Sequence, residues 1–208
     1  MMIRSFIFLC AFLIFAPVAP AKDEKSIKRF TAAITALSPT VDPAEAEAVS
    51  VTAHQTSRQL AHEYRVVGPP FFQNFLIHIG VRERGFCYHW AYDIGARLKE
   101  LRLKTLELHW GASDEGTRLE SNCLVVTARG QPFLDGYIID GWRNAGRLCW
   151  WPARKDSAYR WKENLQLTGW LEELPAKKTV GAGPVSAPNH SAASADTTRA
   201  STQADTLR

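Results

Sequence analysis

The sequence is poor in the patterns that announce a chemistry. Its 208 residues hold four cysteines, no Cys-x-x-Cys, no His-Glu-x-x-His and no glycine-rich phosphate loop. Cys87-Tyr88-His89 is too tight for a zinc pair, so no metal is expected, and no cofactor. No internal repeat is present. Charge of one sign is scarce too: the net charge is +4 and loses one unit without the first 21 residues, whose only charge is Arg4. That is too weak a field to hold a polyanion, and no nucleic acid partner is expected. What remains is ordinary for a folded protein, with 46% hydrophobic and 22% charged residues, which excludes a fully disordered or collagen-like chain. At ~100–200 residues per domain the length fits one domain with appendages.

The ends read as those appendages. Met1 to Arg4 carries one positive charge, and Ser5 to Phe15 is an apolar run of about a dozen residues, short of the ~20 of a membrane span. Ala19-Pro20-Ala21 has the small-x-small form of a cleavage site, so residues 1–21 are expected to be a signal peptide and the rest exported, periplasmic or secreted. The alternative is an uncleaved N-terminal anchor; after cleavage no stable membrane insertion is expected. Cys10 has no small residue before it, which argues against a lipoprotein. Residues 22–41 are polar and alanine-rich, a weak helix or a linker, and residues 175–208 have the composition of a disordered tail. The folded domain is expected over 42–174.

Inside it, Asp42-Pro43-Ala44-Glu45 combines an N-cap, a proline at the first helical position and an acid three residues after the cap. A helix should run from there to Arg65, with Ala46, Val49, Ala53, Leu60 and Tyr64 near one face, until Gly68-Pro69-Pro70 stops it. Phe71 to Ile79 has helical spacing and reads as a short buried helix. From Cys87 the series Trp90, Ala91, Ile94, Leu98, Leu101 predicts a helix of about four turns. Then 105–110 alternates like a strand, 111–120 is a polar loop, and 123–127 and 136–140 are β-branched, apolar strands. After Pro152 the pattern weakens to a loop with a short edge element near Leu165, and in the adjacent pair Trp150-Trp151 at least one ring should be exposed. The fold class is α+β: N-terminal helices, one carrying Cys87 at its start, packed on a small antiparallel sheet.

Cys87 is the candidate nucleophile. A helix N-terminus offers unpaired N–H groups and positive potential, which favour a thiolate, and Arg82 and Arg84 push the same way. A small core cysteine is the competing reading. Removing Cys10 with the signal leaves Cys87, Cys123 and Cys149, an odd number in an oxidising compartment. A pair between Cys123 and Cys149 would leave Cys87 free, although the sequence does not choose among three pairings. A nucleophilic thiol needs a base and a group that orients the base. His89 lies about 200° round the helix from Cys87, His54, His62 and His78 sit on helices, and His190 is in the tail. His109, on the following strand, is the remaining candidate base, and Asp140, at the end of an apolar strand, the candidate orienting acid.

Gly85-x-Cys87-x-x-Trp90-Ala91, followed by a helix and strands that end in Asp140, resembles the core of transglutaminase-like cysteine enzymes within the broader papain-like group. The resemblance covers about residues 82–142. It implies a thiolate that attacks amide or ester carbonyls of a peptide or protein substrate through a thioester, and the expected export would put that substrate in the cell envelope. It carries Cys87 and Asp140 over by motif. The family's histidine, however, would fall where this chain reads Glu120-Ser121-Asn122-Cys123. Asn122 can supply polar or oxyanion support but takes up no proton near neutral pH. Either His109 substitutes, or the chain is a catalytically silent binding or scaffold protein on the same fold. The oligomeric state is not legible.

Overall fold

The computed structural model describes residues 21–173, so the signal-like segment and the tail lie outside the described residues. Five α-helices precede and flank a five-stranded antiparallel sheet: α1 (Ala21–Thr35), α2 (Pro43–Glu63), α3 (Pro70–His78), α4 (Cys87–Lys99), β1 (Leu106–Ser113), β2 (Ser121–Ala128), β3 (Tyr137–Asp140), β4 (Cys149–Pro152), β5 (Lys162–Glu163) and α5 (Leu165–Glu173). The strand order is β4-β3-β2-β1-β5. The α+β class is as the sequence implies. None of these helices is long and apolar enough to cross a membrane.

Two of the helices follow the sequence pattern closely. Asp42 caps α2 by accepting a 2.8 Å hydrogen bond from the Ala44 N–H, and all five residues expected on its inner face are buried. Glu45 does not close a capping box; its carboxylate accepts the backbone N–H groups of Lys104 and Thr105 and so ties α2 to the start of β1. In α4, Trp90, Ile94 and Leu98 are buried against the sheet, at ~1.5–3 kcal/mol of burial for each large side chain.

The sheet is buried on both faces. Strand β2 is buried along its whole length, and alternate residues divide between two cores. Leu124, Val126, Leu106, Trp110 and Ile139 join the core made with the helices. Cys123, Val125 and Ile138 join a smaller core with Trp161, Ala153 and Phe133 on the other side. At the edge, Trp150 stacks on Phe30 of α1 at 4.9 Å, whereas its neighbour Trp151 is exposed, as opposite-facing strand residues must be.

Several expectations are corrected. Residues 22–41 are no linker: α1 buries Phe30 and Ile34 completely, and Asp23 makes a two-pronged ion pair with Arg58 of α2 at 2.7 and 2.8 Å. Strand β1 continues to Ser113, into the expected loop. The edge element is β5, and the helix α5 follows it. Helix α3 is not buried. Its one fully buried residue is Gln73, whose amide nitrogen donates to the Tyr64 and Arg84 carbonyls and whose oxygen accepts the Val67 N–H. Gly85 presses on that side chain with φ +127, a conformation that L residues rarely adopt. Cys123 and Cys149 are both free thiols. Strand β3 runs between them, and two strand spacings of ~4.8 Å exceed the ~7 Å reach of a disulfide.

Gly141 tests the helix-to-sheet packing. A Cβ there would overlap the Trp90 ring and crowd Ser57, while one on Gly169 of α5 would meet nothing within 4 Å. Gly141→Ala should lose about 1–3 kcal/mol in denaturant unfolding, from overpacking. Gly169→Ala should be neutral or gain up to about 1 kcal/mol from helix propensity.

Candidate functional site

Cys87 is the first residue of α4, after the extended cap residue Phe86. The start of this helix is closed by its own side chains. His89 Nδ1 accepts the N–H groups of Gly85 at 3.1 Å and Phe86 at 3.2 Å, and the Trp90 indole N–H donates to the Gly85 carbonyl at 3.1 Å. The imidazole must therefore be neutral, with its proton on Nε2. Burial, with the charge of Arg84 adding to it, pushes the His89 pKa down to about 4.

The sulfur looks across to the start of β2. The Asn122 carboxamide nitrogen donates to it at 3.9 Å, and the thiol faces the Glu120 carbonyl, also at 3.9 Å. Asn122 is itself buried and fixed in orientation. Its oxygen accepts the Trp110 indole N–H at 2.7 Å, and its nitrogen also donates to the Glu120 carboxylate at 3.0 Å. An indole only donates, so the carboxamide cannot be turned round without losing that bond.

The other two candidates lie elsewhere. Leu108 and Trp110 face the helical core, so His109 between them faces the opposite side of the sheet. There its Nδ1 meets Glu163 of β5 at 2.7 Å, its Nε2 meets the Thr127 hydroxyl at 2.8 Å, and its ring edges Phe133. Asp140 likewise follows Ile139 onto that side. One of its oxygens accepts the N–H groups of Trp142 at 2.8 Å and Arg143 at 3.0 Å, and the other accepts Arg143 Nε at 3.1 Å. Arg143 continues to Asp156 at 2.7 Å, which takes the Trp161 indole N–H. Burial raises the Asp140 pKa, and Arg143 and the two N–H groups oppose the rise. Asp140 shapes the turn after β3, the alternative role for an acid at a strand end. Of the four residues singled out, the fold brings together Cys87 and Asn122 alone.

The expected thiolate is also corrected. Burial pushes the Cys87 thiol above its ordinary value; hydrogen bonds from Asn122 oppose this, and the Asp140 charge adds to it. Neither arginine serves the sulfur. Arg84 pairs with Asp93 at 2.7 Å, and Arg82 donates to the backbone carbonyls of Arg65 and Val81. Among the described residues no imidazole is hydrogen-bonded to the sulfur: His54 is held by Ser50 and Ser26, His78 by Asn74, His89 by its own cap and His109 behind the sheet, and His62 has no such bond. His190 lies outside the described residues.

Among the described residues no three of His, Cys, Asp and Glu converge as a metal site. A cavity of about 350 Å³ opens between α4, β1 and α5, lined by Leu98, Arg102, Leu106, Leu108 and Leu171. Leu98 is three turns along the helix from Cys87, ~16 Å at 1.5 Å per residue, so this cavity does not serve the thiol. The sequence reading missed Trp110 as the partner that fixes Asn122. Strand parity was the available signal, since both residues fall on the face that packs against α4. No family model, no curated protein and no solved structure matches the chain.

The His89 cap makes stability depend on pH in a fixed direction. An unfolded histidine titrates near ~6.5, so below that value the unfolded chain binds a proton that the folded one refuses until about pH 4. The stability tied to His89 is complete above ~6.5 and falls as the pH drops. Burial lowers His54 in the same sense. Thermal melts between pH 6.5 and 5 should show a loss of about 2 kcal/mol that His89→Gln largely removes.

Proposed function

We propose that this chain is an exported, catalytically silent protein with a transglutaminase-like arrangement of helix and strands, acting as a binding or scaffold protein and not as an amide hydrolase. One observation carries the reading: the group facing the Cys87 sulfur is the carboxamide of Asn122, which accepts no proton at neutral pH. It sits at the start of β2, where the resemblance puts the base. A thiol pushed up by burial, with no base beside it among the described residues, does not supply the thiolate that acyl transfer requires. Export rests on the apolar run of residues 5–15 and the Ala19-Pro20-Ala21 pattern.

The test restores the missing group. At pH 6 the native chain should be alkylated at Cys87 by iodoacetamide no faster than an ordinary thiol. Asn122→His sets an imidazole against the sulfur and should raise that rate at least about tenfold. Rapid labelling of the native chain at pH 6 overturns the silent reading and returns the protein to the cysteine enzymes.

A further inference from the structure

Helix α3 is turned inside out. Its buried residue is a glutamine, 1% exposed, while Phe71 is 72%, Phe75 and Ile79 each 53%, and Phe72, Val81 and Val67 are also largely open. Three hydrogen bonds to Gln73 and one from the Trp142 indole to Asn74 hold the helix from beneath, so polar contacts position it and its apolar side is left outward. Apolar patches of this kind mark interaction surfaces.

We propose that this face of α3 docks on a lipid bilayer containing anionic lipid, with Phe71, Phe72, Phe75, Ile79 and Val81 entering the boundary between headgroups and acyl chains. Three observations select lipid. First, the face is small: nine residues at ~1.5 Å each and a helix width of ~10 Å give roughly 130 Å², far short of the ~800 Å² per partner of a stable protein interface, yet suited to shallow interfacial insertion. Second, no carboxylate occurs between Arg65 and Arg82, and the Arg82 guanidinium, donating to the Arg65 carbonyl, sets a cation at one edge of the face. The nearest acids in sequence, Glu63 and Glu83, lie just outside those arginines.

Third, the chain reaches α1 from the same end of the molecule. The contacts Ile27–Ser50, Ser26–His54 and Asp23–Arg58 run α1 antiparallel to α2, so α1 begins beside the last turns of α2, and the cap residue of α2, Tyr64, is bonded to α3 through Gln73. The apolar run ends at Phe15, eight residues before Asp23 and within ~27 Å of it even fully extended. Where the segment is retained as an N-terminal anchor, a bilayer that held this run would lie within reach of α3. None of the residues around Cys87 takes part, so lipid docking and thiol chemistry are tested separately.

The experiment attaches a polarity-sensitive fluorophore to Phe75→Cys in the full chain, with the unsubstituted chain labelled in parallel to subtract Cys10, Cys87 and Cys149. Vesicles of phosphatidylethanolamine and phosphatidylglycerol should shift the emission to the blue, and adding Phe72→Ser and Ile79→Ser to the labelled chain should abolish the shift. An emission that vesicles leave unmoved overturns the proposal. So does a shift that survives both serines, because the probe would then be carried to the lipid by residues 5–15. A blue shift that grows with protein concentration in lipid-free buffer also overturns it, in favour of a second copy of the chain.

Discussion

Alternate side chains of a strand leave on opposite faces, and here the two faces of the sheet are closed by different cores, so the parity of a residue decides which chemistry it can join. Helices α1, α2, α4 and α5 occupy one side; the turns around Phe133 and Ala153, with Trp161, occupy the other. Cys87 belongs to the first. Asn122 has the parity to meet it, and His109 and Asp140 do not. Moving His109 to the thiol would mean slipping β1 by one residue, which would also turn Leu106, Leu108 and Trp110 out of their core. Several large burials thus oppose one catalytic contact.

The same packing explains the state of the thiol. A helix N-terminus favours an anion by a fraction of a kcal/mol to ~2 kcal/mol, and only where its N–H groups are free to point at it. In α4 the imidazole of His89 already takes the N–H groups of Gly85 and Phe86. Cys87 keeps hydrogen bonds from the Asn122 carboxamide and from the backbone N–H groups of Asn122 and Tyr88, set against desolvation, and desolvation prevails. Burial at the α4 start, and not a lack of donors, leaves its cysteine neutral.

Much of this was legible in the sequence. The α2 cap and inner face, the α4 series from Trp90 to Leu98 and the two central strands follow periodicity and capping, because burial and local preference agree there. Helix α3 was misread because its spacing shows only that apolar residues share a side, not that anything covers that side; Gln73 decides the orientation through contacts six to eleven residues away. The sequence leaves α1 open between a weak helix and a linker because two buried apolar residues, Phe30 and Ile34, amid a polar stretch give a weak signal. The absence of a histidine at 120–123 was visible at once. The exclusion of His109 needed only the alternation of β1, which places it out of phase with Leu108 and Trp110.

The most direct test is an NMR titration of the Cys87 Cβ resonance, in the native chain and in His109→Ala. A neutral thiol walled off from His109 by the sheet should titrate above the ordinary ~8.5, with the same midpoint in both proteins. A midpoint below about 7 in the native chain, rising when His109 is removed, would mean that the imidazole reaches the sulfur and would contradict the assignment of the two residues to opposite faces.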